Sequence, residues 1–232
     1  MATHTEAILE ALEIGYAVPF DVPVDCPDRL YHYTSASGLY GILTTGILRA
    51  GNFSYLNDAS EATYGSGVVR SAVQSYANTK FVDLAEALLD EVDASLELYL
   101  SCFCAESDLL SQWRGYGDSA GRYCIAFDAR RLVRAMSRLK CELNRVIYDR
   151  EEQISKVRAV IEPSLKALKR SSRLTSIDRK QCEKAIYIRM TERLLDVLCF
   201  FKHHGFREEK AWRAVHQLDQ NISTFVSSRA VG

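Results

Sequence analysis

Proline is scarce in this chain, 4 of 232 residues, and three of the four fall within residues 18–27. Glycine stands at 12. Together these exclude a collagen-like or low-complexity chain. Long apolar runs are missing as well. The best candidate, Leu194 to Phe201, is interrupted by Asp196, whereas a membrane-spanning helix needs about 20 apolar residues. The 7 cysteines include no CxxC pair, and an odd number argues against a disulfide framework or a zinc site. Cys102, Cys104, Cys124, Cys182 and Cys199 sit in apolar runs, which predicts small buried hydrophobes in a reducing compartment. Residues 1–15 carry Glu6, Glu10 and Glu13 but no Lys or Arg, unlike a secretory signal. The expectation is a soluble, cytoplasmic chain with no membrane partner.

Several signatures of chemistry are absent too. No GxGxxG follows a strand, and there is no GxxxxGK[ST], HExxH or GxSxG. Rossmann dehydrogenases, P-loop NTPases, zincins and α/β-hydrolases are thereby set aside. His203 and His204 lack Cys or carboxylate partners at ligand spacing, so no metal is expected there.

What is present is an ordinary globular mixture, 47% apolar, 25% charged and 10% aromatic, long enough for one full core. The net charge of −1 hides an asymmetry: residues 1–128 sum to −12 and residues 129–232 to +11. Either two faces of one domain attract each other, or a basic surface meets an anionic ligand. Without aromatic interleaving or a reader motif, the sequence gives a nucleic-acid partner no support.

The periodicity predicts an amphipathic helix over 5–15, then the proline-rich loop, then a short strand, Leu30 to Thr34. Thr34 or Ser35 caps a helix whose Leu39, Ile42 and Leu43 form an apolar stripe and which Gly46 ends. Two helices follow, to about Ala77 and over Phe81–Val92, then strands at 98–104 and 122–128 around a short helical turn. A helix over 130–139 and a strand over 142–148 come next. Residues 150–200 read as helical with a break at 171–176, and 210–217 alternate as a strand. The expected fold is α+β, a short-stranded β core flanked by helices. It forms one domain, 1–232: an N-terminal helix and loop (1–28), a strand and helix core (29–148), a helical-hairpin insertion (149–201), and a closing strand and tail (202–232).

Four polar clusters stand at element ends, each open to two readings. His32, Tyr33, Thr34 and Ser35 lead into a capped helix: a ligand-binding group, or a core histidine beside an ordinary cap. Asn57, Asp58 and Glu61 either hold a polar ligand or form a capping box. Trp113 and Tyr116, with Arg114 and Gly121, either stack on a planar ring or pack in the core. Glu208, Glu209, Trp212 and Arg213 either offer a carboxylate to positive charge developing on a sugar or decorate the surface.

In this order the clusters resemble a bacterial family, domain of unknown function 2971. The resemblance rests on His32-Tyr33-Thr34, Leu56-Asn57-Asp58 with Glu61, and Ser101-Cys102-Phe103. It continues through Trp113 with Tyr116, Gly121, and Lys202, Phe206, Glu209, Trp212 and Arg213. Two departures are Ala211, where the closing motif has an acid, and the end of the chain at Gly232, where family members continue through further strands.

More distantly the chain is similar to ADP-ribosyltransferases, through the first-strand histidine, the GILTTGIL segment, the middle aromatic and the late glutamate. That resemblance implies an ADP-ribosyltransferase-like β core with NAD as substrate. It implies His32 and Glu209 as catalytic residues, and a nucleotide site of His32, Tyr33, Thr34, Asn57, Glu61, Ser101, Trp113, Tyr116 and Arg213. The implied reaction cleaves the nicotinamide glycosidic bond and passes the sugar to a protein, a nucleic acid or water, in a toxin or defence role. Two rivals are a non-catalytic binding module of the same fold and a metal-dependent nuclease using His32, Asp58 and Glu61.

Overall fold

A computed structural model describes residues 23, 25–53, 60–76, 79–95, 98–117, 120–139, 141–172 and 176–217. The expected helix over 5–15 and the tail after Asp219 lie outside the described residues.

Strands are β1 (Arg29–Ser35), β2 (Gly51–Asn52), β3 (Leu98–Cys104), β4 (Arg122–Asp128), β5 (Glu142–Arg145) and β6 (Ala211–Gln217). Helices are α1 (Ala36–Thr45), α2 (Ser60–Val73), α3 (Thr79–Ser95), α4 (Leu110–Gly115), α5 (Ala129–Arg138), α6 (Arg150–Ser171) and α7 (Ser176–Leu198). A 3₁₀ turn, His204–Glu209, precedes β6 and has no counterpart in the sequence expectation. The strands form one open antiparallel sheet, ordered β4-β1-β3-β6-β5 with β2 also on β3. The fold is α+β, with helices on the flanks of that sheet.

Alternation along the strands explains the layers. Leu30, Phe103, Trp212, Ala214 and Leu143 pack under Leu132 and Val133 of α5. Leu100 and Val215 belong to a larger core with Val68 and Val69 of α2, Phe81 and Leu89 of α3, Ile161 of α6 and Met190 and Leu194 of α7. The α6–α7 hairpin does stand between β5 and β6, and it supplies much of the main core.

One apolar stripe stays at the surface, and one expected boundary moves. The stripe on α1 does not reach the core: no residue of the helix is buried, and Leu43 is 72% exposed. β5 ends at Arg145 rather than Tyr148, because β6 begins at Ala211 and the ladder closes with Val146 N–H donating to Ala211 O at 2.8 Å. Ile147 forms a parallel bridge with Phe201 instead, its N–H donating to Phe200 O at 2.7 Å. Among the described residues, no helix is long and apolar enough to cross a membrane. All seven cysteines are free thiols, with Cys104, Cys182 and Cys199 buried.

Candidate functional site

The sheet divides where β1 meets β3. β1 is in register with β4 along its whole length, from Arg29 opposite Asp128 to Ser35 opposite Arg122, and β3 with β6 likewise. β1 and β3 share a single registered pair, Tyr31 opposite Cys104. Past that pair the two half-sheets part, and a cleft of about 330 Å³ occupies the gap. Its walls come from Tyr31 to Ser35 of β1, Cys102 and Phe103 of β3, and Gln112 and Tyr116 with Gly115 and Gly117 beside α4.

His32 crosses the gap. Its Nδ1 lies 2.9 Å from Cys102 O. A carbonyl only accepts, so Nδ1 carries the hydrogen and Nε2 of the neutral ring is a bare acceptor. Burial lowers the His32 pKa, while the bond to Cys102 raises it slightly, and the ring is neutral at pH 7. Thr34 lines the same wall next to Ser35, which caps α1 by accepting from Gly38 N at 3.1 Å. Glycine is required at 38 because a Cβ there would overlap the Thr34 hydroxyl. Tyr116 enters from the end of α4, and burial raises its hydroxyl pKa, helped by nearby Glu209 and Glu61.

Tyr33 also lines the cleft, but its hydroxyl holds the preceding loop. It donates to Glu106 O at 2.9 Å and accepts from Leu109 N at 3.1 Å. Burial pushes its pKa up to about 12. Trp113 stacks edge-on against Tyr33 at 4.8 Å and donates its indole N–H to Asp108 Oδ1 at 2.7 Å, outside the cleft lining. The pair therefore fixes α4, and with it Gln112 and Tyr116.

The remaining predicted residues form a second cluster. Arg213 is 2% exposed and pairs with Glu61. Its Nη1 also donates to Cys199 O at 2.6 Å. Lys202 bridges Glu61 at 2.7 Å and Glu209 at 2.6 Å. Burial opposes the charge on Arg213, but neighbouring Cys102 and Glu61 favour it, and the balance lies above an ordinary arginine. Its Nε is buried with no hydrogen-bond acceptor among the described residues. Ser101 donates to Arg49 O at 3.4 Å and ties down the loop after α1. Glu61, Ser101, Glu209 and Arg213 thus lie outside the cleft lining, and Asn57 outside the described residues.

Two residues escaped the sequence reading. Gln112, in a short helical turn, gives no local sign of facing a cleft, and Lys202 carries a motif position without a predicted role. Among the described residues, no three His, Cys, Asp or Glu side chains come together as a metal site. His32 and Glu61, two of the three residues assigned to a nuclease, serve different networks, and Asp58 lies outside the described residues.

Residues 112–214 match the model of a family described as Protein of unknown function (DUF2971). That span holds Gln112, Tyr116, Lys202, Glu209 and Arg213, while His32, Thr34, Glu61 and Ser101 precede it. No curated protein matches the chain, and no solved structure does.

Proposed function

We propose that this chain is an ADP-ribosyltransferase-like enzyme that takes NAD into the cleft between β1 and β3 and breaks its nicotinamide glycosidic bond. The observation that carries this reading is the convergence of His32, Thr34 and Tyr116 on one cleft. Aromatic walls suit a flat heterocycle, and a hydroxyl and a bare imidazole nitrogen suit a ribose. At about 330 Å³ the cleft is near the lower end of small-molecule sites. It takes one nucleoside-sized end of the dinucleotide, with the rest across its mouth.

In the reaction the bond from ribose C1′ to the pyridine nitrogen breaks, and its electron pair leaves with nicotinamide. Positive charge develops on the sugar, as in glycoside hydrolysis. A carboxylate nearby stabilises that charge most where water is excluded. Glu209 is assigned this part: Lys202 holds its Oε2, and it is close enough to Tyr116 to raise the phenol's pKa. Water, or a nucleophile on a protein or nucleic acid, then adds at C1′, and His32 Nε2 accepts its proton.

A second reading is a binding module without turnover. It is favoured by Glu209 being bonded to Lys202 and outside the cleft lining.

Incubation of the full chain with nicotinamide-labelled NAD, alongside calorimetry, separates them. Release that is lost in both His32→Ala and Glu209→Ala supports the enzyme. Its pH profile should hold down to below about 6.5, because burial lowers the pKa of His32 from that ordinary value. Binding without release supports the module, and the absence of both overturns the two readings together.

A further inference from the structure

Among the described residues, the cleft walls carry no formal charge. None of those lining residues is Lys, Arg, Asp or Glu, and their one imidazole, His32, is neutral. Such a lining disfavours a phosphate or carboxylate in its depth, since a buried anion needs a paired charge. Hydrogen-bonding capacity, in contrast, is left over. Gln112 is only 9% exposed, lines the cleft, and its side-chain amide meets no hydrogen-bond partner among the described residues. The hydroxyls of Thr34 and Tyr116 are in the same condition, and His32 Nε2 is a bare acceptor.

The amide faces the cleft rather than being sealed from solvent, so its hydrogen-bonding capacity stays open to whatever fills that space. A glutamine presents one donor and one acceptor side by side, and the group that satisfies both at once shows an acceptor beside a donor on a flat edge. The aromatic walls at Tyr31, Phe103 and Tyr116 favour a ring carrying that edge.

We infer that Gln112 is the specificity-determining residue of the cleft, reading the adjacent donor and acceptor on the edge of a neutral heteroaromatic group. Two parts of a dinucleotide carry that chemistry, the amino-purine edge of adenine and the carboxamide of nicotinamide. The inference rests on the ligand cleft of the preceding section but not on its catalytic step. The scaffold accounts for the placement: Tyr33 pins the loop through Glu106 O and Leu109 N, and α4 begins at the next residue, Leu110.

The test is calorimetry on the full chain with two matched pairs, adenosine against purine riboside and nicotinamide against 3-acetylpyridine. In each pair the second member is neutral, keeps the acceptor and lacks the amino donor. The expected result is a preference of about tenfold or more within at least one pair, the range of a two-point glutamine contact. The pair that shows it identifies the source. Gln112→Leu should reduce the preference to about twofold or less, with a thermal midpoint unchanged or raised. Gln112→Met, which keeps the length but carries neither an N–H donor nor a carbonyl acceptor, should reduce it equally and covers the case of a leucine variant that does not fold.

Wild-type protein that prefers neither first member, or variants that keep the preference, would overturn the inference. So would variants that lose stability while keeping it, since that marks a structural role. NAD cleavage without any Gln112-dependent preference overturns this inference alone. A Gln112-dependent preference without nicotinamide release leaves it standing and removes the catalytic reading.

Discussion

Glu61 shows how far a residue's role can lie from its sequence neighbourhood. Three residues after Asp58 it has the spacing of a capping box, and that is all local sequence offers. In the fold its carboxylate is buried between Arg213 and Lys202, partners brought close only by the packing of α2 on the far end of the chain. Removing one member of such a pair leaves an uncompensated buried charge, which costs about 3–5 kcal/mol. Glu61→Gln should therefore lower unfolding stability by about that amount in urea titration, and a loss below about 1 kcal/mol would show that the cluster is wetter than its burial implies. His32 and Tyr116, which line the cleft, stood out in the sequence because an imidazole beside a helix cap and an aromatic before a glycine turn are unusual locally. Gln112 was not, because one polar residue in a six-residue helix leaves no periodic signal.

At the scale of elements the sequence was read well where the physics is local. Ser35 caps α1 and Gly46 ends it in the left-handed conformation, φ 67°. Both follow from residue type, a hydroxyl at the N-terminus and a missing Cβ at the C-terminus. Gly46 offers a clean check, since a Cβ there would touch nothing within 4 Å. Any loss in Gly46→Ala is then backbone strain alone, expected at about 1–2 kcal/mol in the same titration. A neutral substitution would mean that α1 frays before its cap. The burial of α1 was not legible. An apolar stripe marks a face able to pack but not what covers it, and Tyr40 and Leu43 are more than two-thirds exposed. Nor was the 3₁₀ turn that presents Glu209, since so short a segment has no period to detect.

For the whole molecule, the charge asymmetry finds part of its explanation across the chain. Glu61 with Arg213 and Lys202, Asp25 with Arg145, and Glu106 with Lys210 each join the acidic first half to the basic second half. Sheet order was beyond the sequence for a related reason: β3 pairs with β6 across more than a hundred residues, and alternation identifies strands without naming their neighbours. The hairpin of α6 and α7 is fastened to the sheet by charge as well as by its core. Arg193 of α7 reaches Glu142 of β5 at 3.3 Å and Asp196 at 3.0 Å. Burial pushes the Asp196 carboxyl up to about 7; Arg193 lowers it, while Glu142 and Glu192 add to the rise. In the unfolded chain the same group titrates near 3.9. Between about pH 4 and pH 7 the folded protein therefore holds a proton that the unfolded chain has released, so this group favours folding most at the acid end. Its contribution falls as pH rises to about 7 and is constant above. Asp196→Asn removes the titration, and its stability relative to wild type should rise with pH across that window and level off beyond it. A difference that is flat from pH 4 to 7 would place Asp196 in water and loosen the proposed fastening of α7 to β5.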